Sequence, residues 1–171
     1  MMRGNKGEWS EFYAFIKILV DKKLVSADQD LNKIESLIFP VLKIIREDST
    51  GLSEYELRDD GNVVISDTDG QNMIVDCADL KTRVAAILGA IKESDKTFSI
   101  PALEDVFTRL RVHSLNAGNA RKEDLVLKIH DHAINQQHEV GFSIKSRLGS
   151  PASLLNASSA TNFVFKIEGI N

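Results

Sequence analysis

Asp124, Ser143 and Lys145 carry the chemistry most worth reading in this chain. The run "EDLVLKIHD" alternates apolar and polar residues, and so does "EVGFSIKS". Alternate residues of a strand face opposite ways. Two strands are therefore expected over 124–131 and 139–146. Leu125, Leu127 and Ile129 share one face of the first, and Val140, Phe142 and Ile144 share one face of the second. The opposite faces carry Asp124, Val126, Lys128 and His130, and Glu139, Gly141, Ser143 and Lys145. Paired as an antiparallel hairpin centred near residue 135, Asp124 falls opposite the 145–146 region. An acid at the start of one strand then meets a lysine near the end of the next.

Two readings fit that meeting. One is a surface salt bridge across a sheet, worth about 0–1 kcal/mol. The other is metal-assisted phosphodiester hydrolysis. There a carboxylate holds Mg²⁺, which acidifies water and neutralises the scissile phosphate. A lysine stabilises the developing charge or positions the attacking water. Such groups must project from rigid elements, because a metal site tolerates little looseness.

The surrounding sequence supplies those elements. Residues 8–23 are predicted as an amphipathic helix with Trp9, Phe12, Phe15, Ile16 and Leu19 on one face. Residues 27–47 read as a second helical stretch, kinked or split at Pro40. Residues 53–76 change period, and their two Asp-Gly turns predict hairpins. The "DTDG" at 67–70 lacks the full ligand spacing of a calcium loop and reads as a turn. Helices are expected over 78–94 and over 101–111, the latter with Pro101 in its first turn. Ser150 caps a short helix with Pro151 at its first position, and "NFVFKIEG" at 162–169 reads as a last strand. One domain over 1–171 is expected: a helical part to residue 50, hairpins to 76, helices and a loop to 123, then the strands that carry Asp124 and Lys145.

Composition narrows the class. The 171 residues are 43% hydrophobic and 27% charged, the mix of a folded domain rather than a disordered chain. No apolar run approaches the about 20 residues of a membrane span, and "MMRGNKGEWSEF" has no secretory core. The single cysteine, Cys77, makes no internal disulfide, so a cytoplasmic setting is expected. Net charge is −4, yet it divides unevenly. Residues 108–147 hold seven Lys or Arg against four acids, and residues 47–79 hold ten acids against Arg58 alone. A basic surface is thus available around the Asp124 and Lys145 strands.

An acid, a gap of about twenty residues, and x-x-Lys on the next strand is similar to the PD-(D/E)xK nuclease core of order αβββαβ. The stretches "GNKGEWSEFY", "RKEDLVLKIHD" and "GFSIKSRLGSPASLLNAS…TNFVFKI" resemble type II restriction endonucleases of the HpaII type. The likeness runs over most of the chain. It implies an α/β (α+β) fold with a restriction-endonuclease-like core and a helical N-terminal portion. It also implies Mg²⁺-dependent cleavage of double-stranded DNA at CCGG, a possible homodimer, and a functional partnership with a cognate DNA methyltransferase. Asp124 matches the metal-binding aspartate and Lys145 the catalytic lysine. Relatives of this type are longer, so an N-terminal or truncated portion of such an enzyme is expected.

The pattern departs from the general nuclease core at Ser143, where an Asp or Glu usually stands. A hydroxyl is a poor ligand for a hard dication, so another carboxylate is needed. Glu8 and Glu11 of the first helix are the expected source, with the helix N-terminus as their other possible role. Glu139 is weaker, lying roughly 13 Å from Lys145 along a strand. Arg121 and Lys122 of "NAGNARK", with Arg147 and the amides at Ser150, suit phosphate contacts. His130 and His132 lack further ligands of suitable spacing, and Ser143 with Lys145 lacks a nucleophile elbow. Two other functions fit the same residues: a catalytically incomplete DNA-binding fragment, and a repair or recombination nuclease of this fold.

Overall fold

The computed structural model describes residues 1–116 and 123–148. Helix α1 (Lys6–Asp21) opens it. Asn5 caps α1 by accepting hydrogen bonds from the amides of Gly7 and Glu8, and Glu8 Oε2 accepts the amide of Asn5 at 2.7 Å, a reciprocal capping box. Trp9, Phe12, Phe15, Ile16 and Leu19 are buried, the face the sequence predicts.

Strands β1 (Lys23–Ala27) and β2 (Lys33–Asp48) follow, where a second helix is expected over 27–47. The expectation fails for a physical reason. Ile34, Ile38, Val41 and Ile45 recur at helical spacing, but they are β-branched and pack well on a pleated surface. Pairing decides between the two, because β2 has three antiparallel partners, β1, β3 and β6. Pro40 does divide the segment, though as a strand. It is paired with Lys23 of β1, whereas pairing with β6 starts at Val41, with a register slip before Lys43. The missing N–H thus falls where β2 changes partners.

The two hairpins form as expected from β3 (Gly51–Leu57), β4 (Asn62–Asp67) and β5 (Asn72–Asp76). Gly61 and Gly70 have φ of +92° and +74°, which only glycine adopts freely. The Asp67 carboxylate accepts the amides of Asp69 and Gln71 and pairs with Arg111, so "DTDG" is a latched turn. Helix α2 (Leu80–Glu93), a 3₁₀ turn (Pro101–Leu103) and α3 (Glu104–Arg109) come next.

Strands β6 (Leu125–Asp131) and β7 (Gln136–Phe142) complete the described sheet. Its seven strands run in the order β5-β4-β3-β2-β6-β7, with β1 paired to the outer half of β2. Every described pairing is antiparallel. The core joins α1, α2 and α3 to β2, β3, β4 and β6 through Phe15, Ile44, Tyr55, Ile65, Ile87, Phe107 and Leu127. A helix followed by an antiparallel sheet with further helices is the α+β arrangement of a restriction-endonuclease-like protein. The N-terminal fifty residues, expected to be helical, are mostly strand after Asp21. No described helix is long and apolar enough to cross a membrane. The helix expected at Ser150 and the strand expected at 162–169 lie outside the described residues.

Candidate active site on the β6–β7 hairpin

The inward faces of β6 and β7 are as expected, but β7 ends at Phe142 rather than at 146, so Ser143 and Lys145 lie just past the strand and not within it. Leu125, Leu127 and Ile129 are buried, Val140, Phe142 and Ile144 are half-buried against the core, and Glu139, Gly141, Ser143 and Lys145 are exposed. The register does not hold. Partners run from Leu125 opposite Phe142 to Asp131 opposite Gln136, so the hairpin centres between Ala133 and Ile134 rather than near 135. The turn explains the slip. Asp131 Oδ1 accepts the amide of Ala133, and Asn135 takes a left-handed φ of +51°, which closes the connection within 132–135. Gln136–His138 then pair as strand despite their polarity, because an edge strand tolerates water on its outer face.

Asp124 therefore lies beside Phe142–Ile144 rather than opposite 145–146. Its amide donates to the Phe142 carbonyl at 2.9 Å. Its Oδ2 accepts the amide of Ile144 at 2.5 Å. Lys145 is the next residue. The residue after that is held too: Ser10 Oγ, nine-tenths buried on α1, lies 2.9 Å from Ser146 Oγ and 2.6 Å from the Lys6 carbonyl. A hydroxyl has one proton. The carbonyl has none, so the Ser10 proton goes to Lys6, and that of Ser146 closes the contact between the serines. Ser146 Oγ also accepts the amide of Leu148 at 3.1 Å. The exposed lysine is thus flanked by two anchored neighbours, one tied to β6 and one to α1.

Glu8 lines the mouth of α1 with its carboxylate engaged in the capping box. Glu11 is half-buried one turn before Phe15, whose ring centroid is 5.8 Å from the Arg46 guanidinium carbon. Ser143 and Arg147 are exposed. Arg121, Lys122 and Ser150 lie outside the described residues. His130 and His132 bring their rings to 4.6 Å, and His130 Nε2 lies 3.1 Å from Asn135 Oδ1. Among the described residues no three His, Cys, Asp or Glu group closely enough to hold a metal. The donor chemistry of Asp124 nonetheless suits Mg²⁺, which takes one or two carboxylates and fills its octahedron with water and substrate phosphate. Oδ2 is oriented by the Ile144 amide, and Oδ1 is the oxygen such a cation would meet.

Two supporting residues were not legible. Arg46, at the end of β2, is buried and donates to the carbonyls of Ser114, Leu115 at 3.0 Å and Asn116 at 3.3 Å. Its Nη1 lies 3.5 Å from Asp48 Oδ2. Burial pushes the Asp48 carboxyl up, but the amide and hydroxyl of Thr50, the amide of His113 and the Arg46 charge outweigh it. The carboxyl stays below its ordinary value. Nothing in the spacing of Ser10 or Arg46 marks them, because their partners are more than sixty residues away in the chain.

The fold defines the class, an α+β protein of the restriction-endonuclease kind. More narrowly, the chain belongs to the HpaII restriction endonuclease family, whose model matches residues 5–171. It is 39% identical over 169 residues to the "Type II restriction enzyme HpaII" of Haemophilus parainfluenzae. That match covers 98% of this chain and 47% of the relative, so the chain spans about half the length of the curated relative it matches. No solved structure matches it.

Proposed function

We propose that this chain carries the catalytic core of a Mg²⁺-dependent type II restriction endonuclease that cuts double-stranded DNA at CCGG. The observation that carries the reading is the anchoring of Lys145. Asp124 grips the residue before it and the α1 serine grips the residue after it. A surface salt bridge needs no such anchoring.

In this reading Asp124 supplies the metal carboxylate, and Glu11 or Glu8 of α1 completes the acidic cluster around it. Glu8, engaged in the helix cap, is the lesser contributor. A bound Mg²⁺ supplies neutralisation of the scissile phosphate and a more acidic water. Lys145 presents its ammonium to the phosphate or the attacking water, and Ser143 offers that water a hydroxyl. Arg121, Lys122, Arg147 and the amides at Ser150 hold the phosphates of the duplex, which positions DNA without reading it. A homodimer, a cognate DNA methyltransferase as functional partner, and a cytoplasmic location complete the reading.

The test uses a labelled duplex with one CCGG. Strand cleavage with Mg²⁺, absent with EDTA and absent in Lys145→Ala, is the expected result. A second reading, a DNA-binding fragment without cleavage, draws on Ser143 standing where the usual acid belongs. It predicts duplex binding with no strand scission at any Mg²⁺ concentration.

A further inference from the structure

Gly141 stands in the middle of β7, where glycine weakens a strand and often marks a close approach. Its backbone does not explain it, since the glycines with positive φ are Gly51, Gly61 and Gly70. The space above it does. A Cβ built at Gly141 would lie 2.4 Å from Glu123 Cγ, 3.2 Å from its Cβ and 3.3 Å from its Cδ. All three of the nearest atoms belong to this one side chain. Gly141 is a notch across which Glu123 lies.

Gly141 is exposed, and so are Ser143 and Lys145, which follow just past the end of β7. The Glu123 side chain thus lies over a residue two positions before Ser143, the position that lacks the usual acid. Glu123 is exposed and precedes Asp124, whose Oδ2 holds the Ile144 amide. Among the described residues no hydrogen bond or ion pair engages the Glu123 carboxylate. We propose that Glu123 is the second carboxylate of the divalent-cation site, delivered across Gly141 from the segment just before β6 to make good the missing acid at Ser143. This rests on the nuclease reading above.

The test is Mn²⁺ binding to the full chain by isothermal titration, with and without a CCGG duplex. The variants are Asp124→Asn, Glu123→Gln, Gly141→Ala and, as control, Glu139→Gln. Gly141→Ala removes no ligand. An alanine Cβ fills the notch and has to displace the Glu123 side chain from its Cγ outward. Glu123→Gln and Gly141→Ala are each expected to weaken Mn²⁺ by about tenfold or more, since affinity follows the charge and geometry of the ligand set. Circular dichroism should stay unchanged, and Glu139→Gln should bind as the unsubstituted chain does. Unweakened binding in Glu123→Gln or in Gly141→Ala, with Asp124→Asn impaired, overturns the inference and leaves the nuclease reading standing. No Mn²⁺ binding by the unsubstituted chain, with or without duplex, overturns both.

Discussion

Asp124 and Ile144 are joined by a 2.5 Å hydrogen bond from the Ile144 amide to Asp124 Oδ2. This bond places the carboxylate beside the residue that precedes Lys145. It engages Oδ2 and leaves Oδ1 outside that bond. One side chain thereby orients itself and holds the segment after β7 that carries the lysine.

Asp124→Ala and Asp124→Asn should therefore separate in stability and agree in activity. Alanine leaves the half-buried Ile144 amide without its acceptor, a loss of about 1–3 kcal/mol. Asparagine keeps an acceptor oxygen and should cost less than about 1 kcal/mol. Both remove the negative charge and should abolish cleavage. Urea unfolding beside a duplex cleavage assay reads the two effects.

Ser10→Ala should behave as the loss of a positioning contact. Its hydroxyl lies on the Ser146 side of Lys145 and is buried away from the strand surface. Stability should fall by about 1 kcal/mol. The cleavage rate constant should fall, duplex affinity should stay, and Ser10→Thr should restore part of the rate. Single-turnover kinetics beside fluorescence anisotropy would show the split.

Arg46→Met should be among the more damaging substitutions away from the aromatic core. It leaves Asp48 buried without its cation and frees the carbonyls of 114–116. Breaking one partner of a buried pair costs about 3–5 kcal/mol. Arg46→Met combined with Asp48→Asn should cost clearly less than the sum of the two single substitutions. Denaturant midpoints over the four proteins close that cycle.

Stability should fall at both ends of the pH scale. The Asp48 carboxyl lies below its ordinary value in the fold, so its contribution is present above the unfolded value near 3.8 and fades as pH drops below it. Burial pushes the Tyr55 hydroxyl, which donates to the Leu110 carbonyl at 3.0 Å, up to about 12. Its contribution is present below the unfolded value of 10.0 and is lost as pH rises toward 12. Tyr55→Phe should remove the part of the alkaline loss that lies between those values. Unfolding free energies at pH 3–5 and pH 9–12 measure both.

Much of this was legible in local pattern. The α1 face, both Asp-Gly hairpins and the inward faces of β6 and β7 follow from periodicity and turn chemistry, which act over a few residues. What was not legible depends on distant partners. Residues 33–48 have helical apolar spacing and become a strand because β1, β3 and β6 pair with them. The register of β6 with β7 turns on the left-handed Asn135 and the Asp131 cap, which shift the hairpin centre and bring Asp124 to Ile144. Glu8 reads as a metal ligand or a helix cap, and the structure shows the cap. Gly141 reads in the sequence only as one residue of a strand face, and the reason for it lies in a side chain eighteen positions earlier.

The most direct test of the account is digestion of a defined plasmid by the purified chain with Mg²⁺, with the fragment ends sequenced. The account predicts discrete fragments that end at CCGG, lost with EDTA and lost in Lys145→Ala. Cleavage that persists in Lys145→Ala, or no cleavage by the folded chain, would contradict it.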